Sequence, residues 1–308
     1  MSKIQEALSK LQESTGGRSP QSPQVARLNH DDRPKEYGEF EYSGPIIEIN
    51  QAALRDLGII APEYHERLLA DQYREIKRPL IANAFGRRVA RVEDGNIIMI
   101  SSALPGEGKT FTSINMALSM AQEKDYTVLL IDADVAKPHI SDIFGVSDEP
   151  GLLDLLDGKS VDAESLVLRS SVPGLTILPA GTPRNNATEL LSSSRMEHVL
   201  SDLGGRFDNR IVVLDSPPLL ATTESKALAS LAGQIVLVVK AESTPQGAVQ
   251  EAAHVLGYDK AVNLVLNQAR TSAKNNQLVS GYGYDGYGLT PANAAKADDS
   301  ESKSTSGE

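Results

Sequence analysis

The stretch Asn96-Ile97-Ile98-Met99-Ile100-Ser101-Ser102-Ala103-Leu104-Pro105-Gly106-Glu107-Gly108-Lys109-Thr110 decides how the chain is read. The apolar run from Ile97 to Ile100 suits a strand buried on both faces. A glycine-containing loop follows it, and good helix formers begin at Lys109. From Ala103 to Thr110 the spacing is that of a Walker A loop. Gly106 and Gly108 let the backbone turn so that several N–H groups converge on phosphate oxygens, and the next helix directs its positive end to the same point. On this reading Gly106, Glu107, Gly108, Lys109, Thr110 and Phe111 cradle a nucleotide. Lys109 reaches the β- and γ-phosphates and the Thr110 hydroxyl ligates Mg²⁺.

Outward from the loop, apolar runs alternate with helical patterns, which marks a parallel sheet covered on both faces. Strands are expected over residues 96–101, 127–132, 175–178, 210–215, 234–239 and 262–266, with helices over 109–123, 187–203, 222–231 and 245–256. The expected fold class is α/β, a doubly wound and mostly parallel sheet of the P-loop NTPase type, in its deviant Walker form. Upstream, residues 62–88 read as a helix that Pro79 should end or kink. Ile4, Ala7, Leu8 and Leu11 share one face of a short amphipathic helix. The expected organisation is that helix (1–14), a Pro- and Gly-containing disordered linker (15–46), a nucleotide-binding domain (47–275) and a polar, disordered, tyrosine-containing tail (276–308).

Two further strand ends carry carboxylates. Leu129-Leu130-Ile131-Asp132-Ala133-Asp134 closes one strand with two aspartates, and Val213-Leu214-Asp215-Ser216-Pro217-Pro218 closes another with one. In an open parallel sheet the ligand lies beyond the carboxyl ends of the strands, so all three acids should face the phosphate loop. Such acids repel one another unless a cation joins them, which is the physical reason to expect Mg²⁺ on the nucleotide. Asp134 and Asp215 are the candidate metal residues with Thr110. Asp132 stands either as base or as metal ligand. Asn267, at the end of the last strand, reads equally as an adenine contact or as a plain strand-end residue.

Composition bounds the alternatives. The chain has 308 residues with 30 Lys plus Arg against 41 Asp plus Glu, a net charge of −11, which argues against a nucleic-acid binder. With no cysteine there is no disulfide framework, thiolate nucleophile or sulfur-bound zinc, as suits a reducing compartment. No apolar run approaches the roughly 20 residues of a spanning helix, and the N-terminal residues lack a secretory pattern. A cytoplasmic location is expected, with peripheral attachment at the inner membrane only through a partner.

The phosphate loop, the Asp-x-Asp strand end and the Asp-x-Pro-Pro strand end together resemble the cytoplasmic bacterial tyrosine kinases of exopolysaccharide synthesis. Asp71-Gln72-Tyr73-Arg74-Glu75-Ile76-Lys77-Arg78 is similar to that family's ring-forming Glu-x-x-Arg-x-x-Arg motif, with Asp71 and Lys77 as substitutions. Gly281-Tyr282-Gly283-Tyr284-Asp285-Gly286-Tyr287-Gly288 resembles its self-phosphorylated tail. The N-terminal residues and Asp134-Val135-Ala136-Lys137-Pro138 look most like the exosortase-associated autokinases, although Ala136 stands where the family usually has Arg.

The resemblance implies an ATP- and Mg²⁺-dependent tyrosine autokinase. Lys109 and Asp132 would be its catalytic residues, and Tyr282, Tyr284 and Tyr287 would accept phosphate from a neighbouring subunit. Asp71, Arg74, Lys77 and Arg78 would contact that neighbour. It also implies a ring-forming homo-oligomer and a membrane polysaccharide copolymerase, or chain-length regulator, as partner. The competing class, a partition or septum-positioning ATPase, would carry a signature Lys where Leu104 and Pro105 stand.

Overall fold

The computed structural model describes residues 46–269, apart from 57, 61, 62, 88, 159–161, 258 and 259. The expected N-terminal helix, all of the linker but Ile46, and the tyrosine tail with Tyr282, Tyr284 and Tyr287 lie outside the described residues.

Eight strands form one sheet: β1 (Ile46–Ile47), β2 (Ile97–Ser102), β3 (Thr127–Asp132), β4 (Leu168–Ser170), β5 (Leu175–Leu178), β6 (Arg210–Asp215), β7 (Gln234–Lys240) and β8 (Ala261–Asn267). Their order is β1-β4-β5-β3-β6-β2-β7-β8. Every pairing is parallel except that of β4 with β5.

The four central strands show why near-continuous apolar runs were needed. Ile97, Met99, Leu129, Ile131, Val212, Leu214, Ile235 and Leu237 point to one face. Ile98, Ile100, Val128, Leu130, Ile211, Val213, Val236 and Val238 point to the other. Successive strand residues alternate in direction, so each run fills two cores at once.

Helices α1 (Gln51–Asp56), α2 (Glu63–Phe85), α3 (Lys109–Ala121) and α4 (His139–Phe144) cover the second face. Helices α5 (Leu152–Asp157), α6 (Ala187–Leu191), α7 (Ser194–Gly205), α8 (Glu224–Leu231) and α9 (Gln246–Leu256) cover the first. The doubly wound architecture is therefore present.

Three local expectations are corrected. Helix α2 does not end at Pro79 but runs through it to Phe85. Beyond the proline, Leu80, Ile81 and Ala84 are buried, and the Gln234 side chain donates to the Leu80 carbonyl at 2.9 Å. That tertiary contact outweighs the lost helical hydrogen bond. The single helix expected over 187–203 is two, because the Ser193 side chain accepts the Met196 N–H and starts α7 afresh. Ile46, the last residue of the expected linker, already pairs with Arg169 in β1.

Candidate nucleotide site

The loop between β2 and α3 is shaped by its glycines. Gly106 has φ 77° and Gly108 φ 97°, a left-handed region that costs glycine little and other residues more. Gly108 is the N-cap of α3 and has no side chain to cap it, so the first amides of the helix stay available to an anion. Lys109 is 9% exposed at the first position of that helix. The Phe111 ring packs into the second core, which leaves only its backbone to serve the loop. The Glu107 side chain is buried, and its Oε2 accepts the Leu104 N–H at 2.9 Å.

The acids collect at the same end of the sheet. Asp132 and Asp215 are register partners at the ends of adjacent β3 and β6. Both are fully buried, and Asp134 is 6% exposed. Asp215 Oδ2 accepts the Thr110 hydroxyl at 2.8 Å and its Oδ1 accepts the Ser113 hydroxyl at 2.8 Å. The residue expected on the metal is thus tied directly to a candidate metal acid. Asp132 Oδ2 accepts both the backbone N–H and the hydroxyl of Ser141 at 2.8 Å, while its Oδ1 is buried with no hydrogen-bond partner among the described residues.

Electrostatics separate the three acids. Burial lifts the Asp132 carboxyl to about 7, the Asp215 charge adds to the rise, and the Ser141 hydrogen bonds oppose it. Asp215 is lifted to about 6 by burial, held back by the Ser113 and Thr110 hydroxyls and by Lys109. Asp134 is also raised by burial, against the pull of Lys109, His139 and Lys137. Lys137 therefore contributes a cation beside Asp134 although position 136 is alanine. Acids this buried and this poorly neutralised mark a place that receives positive charge from outside.

No group of three His, Asp or Glu side chains among the described residues closes tightly enough to hold an ion unaided. Mg²⁺ fits such a site none the less, because it keeps waters, takes phosphate oxygens and needs only one or two carboxylates. Thr110 and Asp215, with Asp134, are the residues that would hold it.

The expected ring-contact residues divide. Asp71 and Arg74 form an exposed ion pair within α2, and Arg78 pairs with Glu75 at 3.0 Å, also exposed. Lys77 differs: it is 3% exposed, donates to the Ser119 carbonyl at 2.5 Å and lies 2.8 Å from Glu123 Oε1. It fastens α2 to α3 inside the chain, so the outward contact expected of it is corrected.

Sequence reasoning missed Ser113, Ser141 and Thr244. Ser113 had a signal, since it lies one helical turn beyond Lys109. Ser141 and Thr244 had none: Ser141 returns to Asp132 from the short helix α4 nine residues on, and Thr244 reaches Glu107 from a turn far along the chain. Asn267 does not wait free for a base: its Nδ2 donates to the Glu107 carbonyl at 2.9 Å and its Oδ1 accepts the Gln268 N–H at 2.9 Å.

Loop, sheet and strand-end acids define a P-loop nucleotide-binding protein. The comparisons narrow the class. A model of the AAA domain matches residues 95–267. The tyrosine-protein kinase YwqD of Bacillus subtilis is 31% identical over 239 residues, which is 77% of this chain and 94% of that protein. The tyrosine-protein kinase ptk of Acinetobacter johnsonii is 34% identical over 149 residues, 48% of this chain but 20% of that protein. The crystal structure of the VpsO kinase domain superposes with a TM-score of 0.56 at 34% identity, covering 68% of this chain and 100% of that one. The chain belongs to the AAA-domain family, in its branch of bacterial tyrosine-protein kinases. Some relatives are far longer: the match takes in 27% of EpsB of Ralstonia nicotianae. No helix among the described residues is long and apolar enough to cross a membrane.

Proposed function

We propose that the chain is a protein-tyrosine autokinase that transfers phosphate from Mg²⁺-bound ATP to Tyr282, Tyr284 and Tyr287 of a neighbouring copy, and so regulates polysaccharide synthesis or export. The observation that carries this reading is the Oδ1 of Asp132, buried without a hydrogen-bond partner among the described residues, on the strand paired with that of Asp215, which accepts the Thr110 hydroxyl of the phosphate loop. Mg²⁺ on the triphosphate would supply the positive charge that the three acids lack, held by Thr110 and Asp134, with Asp215 acting through water. Lys109 and the loop amides would bind the phosphates and stabilise the charge that develops on the transferred group.

A phenol has a pKa of about 10, so its proton must leave as the oxygen–phosphorus bond forms. Asp132, lifted to about 7, is a stronger base than an ordinary carboxylate, and among the described residues its Oδ1 has no hydrogen-bond partner to compete for that proton. Ser141 fixes the other oxygen and hence the direction of the free one. Glycines between the tyrosines oppose helix formation and favour an extended segment able to enter a neighbour's site. The exposed charges of α2 at Asp71, Arg74 and Arg78 are the surface offered to that neighbour in a ring. A membrane polysaccharide copolymerase is the partner that would bring the chain to the inner membrane. Phosphates of up to about −2 each on crowded tails would then drive the ring apart.

The test is incubation of the full chain with ATP and Mg²⁺ followed by mass spectrometry of residues 270–308, with Lys109→Met as control. Phosphotyrosine in the parent and none in the control supports the reading. Phosphate release with an unmodified tail would instead identify an ATPase.

A further inference from the structure

Glu107 is an oddity in an anion-binding loop. A carboxylate there works against triphosphate unless donors hold it elsewhere. It is 3% exposed, and both of its oxygens are engaged: Oε2 accepts the Leu104 N–H at 2.9 Å, and Oε1 accepts the Thr244 hydroxyl. The same Thr244 oxygen accepts the Lys240 N–H at 3.0 Å, which anchors it to the turn after β7. From the end of β8, Asn267 Nδ2 donates to the Glu107 carbonyl at 2.9 Å. That amide stands where a side chain on Gly108 would begin, 2.0 Å from an added Cβ. The loop is therefore gripped from within and from two strand ends distant in sequence.

We infer that Thr244 and Asn267 are positioning residues for the phosphate loop, acting through Glu107 to hold its amides in the triphosphate-binding shape before nucleotide arrives. The inference deepens the ATP-binding reading proposed above and rests on it. Its physical basis is preorganisation: a loop already ordered by the fold gives up less conformational freedom when ligand binds. Thr244 touches no nucleotide atom in this scheme and contributes nothing to the proton transfer, so its effect should fall on triphosphate affinity rather than turnover.

The experiment uses the full chain with Thr244→Val, Thr244→Ser and Asn267→Ala. The probes are a non-hydrolysable ATP analogue with Mg²⁺, and inorganic tripolyphosphate as its competitor. Loss of a hydrogen bond to a charged group predicts an analogue Kd weakened about tenfold in Thr244→Val, with tripolyphosphate weakened in parallel. KM for ATP should rise by a similar factor while kcat for tail phosphorylation stays within about threefold. Thr244→Ser, which keeps the hydroxyl, should restore the parent affinity. A merely structural threonine would lower the melting temperature without moving Kd in the folded protein.

Parent-like affinity for both probes in folded Thr244→Val overturns the inference. Should that variant not fold, Asn267→Ala decides alone: weakening of both probes supports the brace, whereas weakening of the analogue with tripolyphosphate unchanged makes Asn267 a base contact and overturns it. A parent chain that binds neither probe refutes the ATP reading itself and takes this inference with it, a result distinct from failure of the brace alone.

Discussion

Strand β6 begins and ends with a buried charge, and the two ends are treated in opposite ways. At its start Arg210 is 1% exposed, donates to both oxygens of Glu164 at 2.6 Å and lies over the Phe207 ring at 4.3 Å. At its finish Asp215 is equally buried, but its near neighbours include the acids Asp132 and Asp134. The first end is neutralised within the fold. The second is left short of positive charge, at a cost the folded chain carries until ligand binds. Burial alone therefore does not mark a working site; burial without compensation does.

The largest effect expected from disturbing this contrast is on chemistry. Asp132→Asn should lower tail phosphorylation at least about a hundredfold, by removing the proposed proton acceptor. The same change should stabilise the ligand-free chain by about 2 kcal/mol, raising its melting temperature by about 5 °C, because a neutral amide replaces a carboxyl that burial disfavours when charged. Phosphorylation assays and thermal melts on one preparation test both signs together.

Next comes the compensated end. Glu164→Gln removes the charge that balances Arg210 and should cost about 3 kcal/mol, read as a lower urea midpoint with ATP affinity retained in the folded fraction.

A smaller, graded effect follows from pH. Asp132 and Asp215 have folded-state values of about 7 and about 6 against 3.8 for an ordinary aspartate. Raised carboxyls contribute stability in the protonated state that is lost as pH rises from about 4 through those values, so their contribution should grow as pH falls from 8 to 5. Melts of parent and Asp132→Asn should converge at low pH and separate at high pH. Curves that stay parallel would show that Asp132 is not the group responsible. Mildest of all, Arg74→Ala and Arg78→Ala should change stability by no more than about 0.5 kcal/mol, since both side chains lie in exposed ion pairs. Loss of assembly in sedimentation, with parent-like melts, would assign the α2 surface to a neighbour.

Legibility in the sequence followed the range of the interactions. The six longer strands were readable as runs of mostly apolar residues, which in the four central strands alternate between two cores, and the phosphate loop because its glycines, Lys109 and Thr110 lie close together in sequence. Strands β1 and β4 and helices α1, α4 and α5 were missed; at two to six residues they show no period. Pro79 misled because the packing of Leu80 and Ala84 is tertiary. Lys77 looked like its charged neighbours in the motif, yet its helical position turns it toward Ser119. Of the site, Asp132, Asp134 and Asp215 were legible from strand ends alone. The groups that set their chemistry were not, since Ser141 reaches Asp132 across a loop that carries no mark of the contact.

Strand β2 lies between β6 and β7 in the sheet. A ribosome making this protein therefore delivers the loop-bearing strand long before either of its hydrogen-bonding neighbours, which begin only at Arg210 and Gln234. Until then the nascent polypeptide carries a greasy segment with two open edges, a state prone to clumping and suited to chaperone capture. Nucleotide competence thus waits until β6 and β7 have followed β2 out of the ribosome.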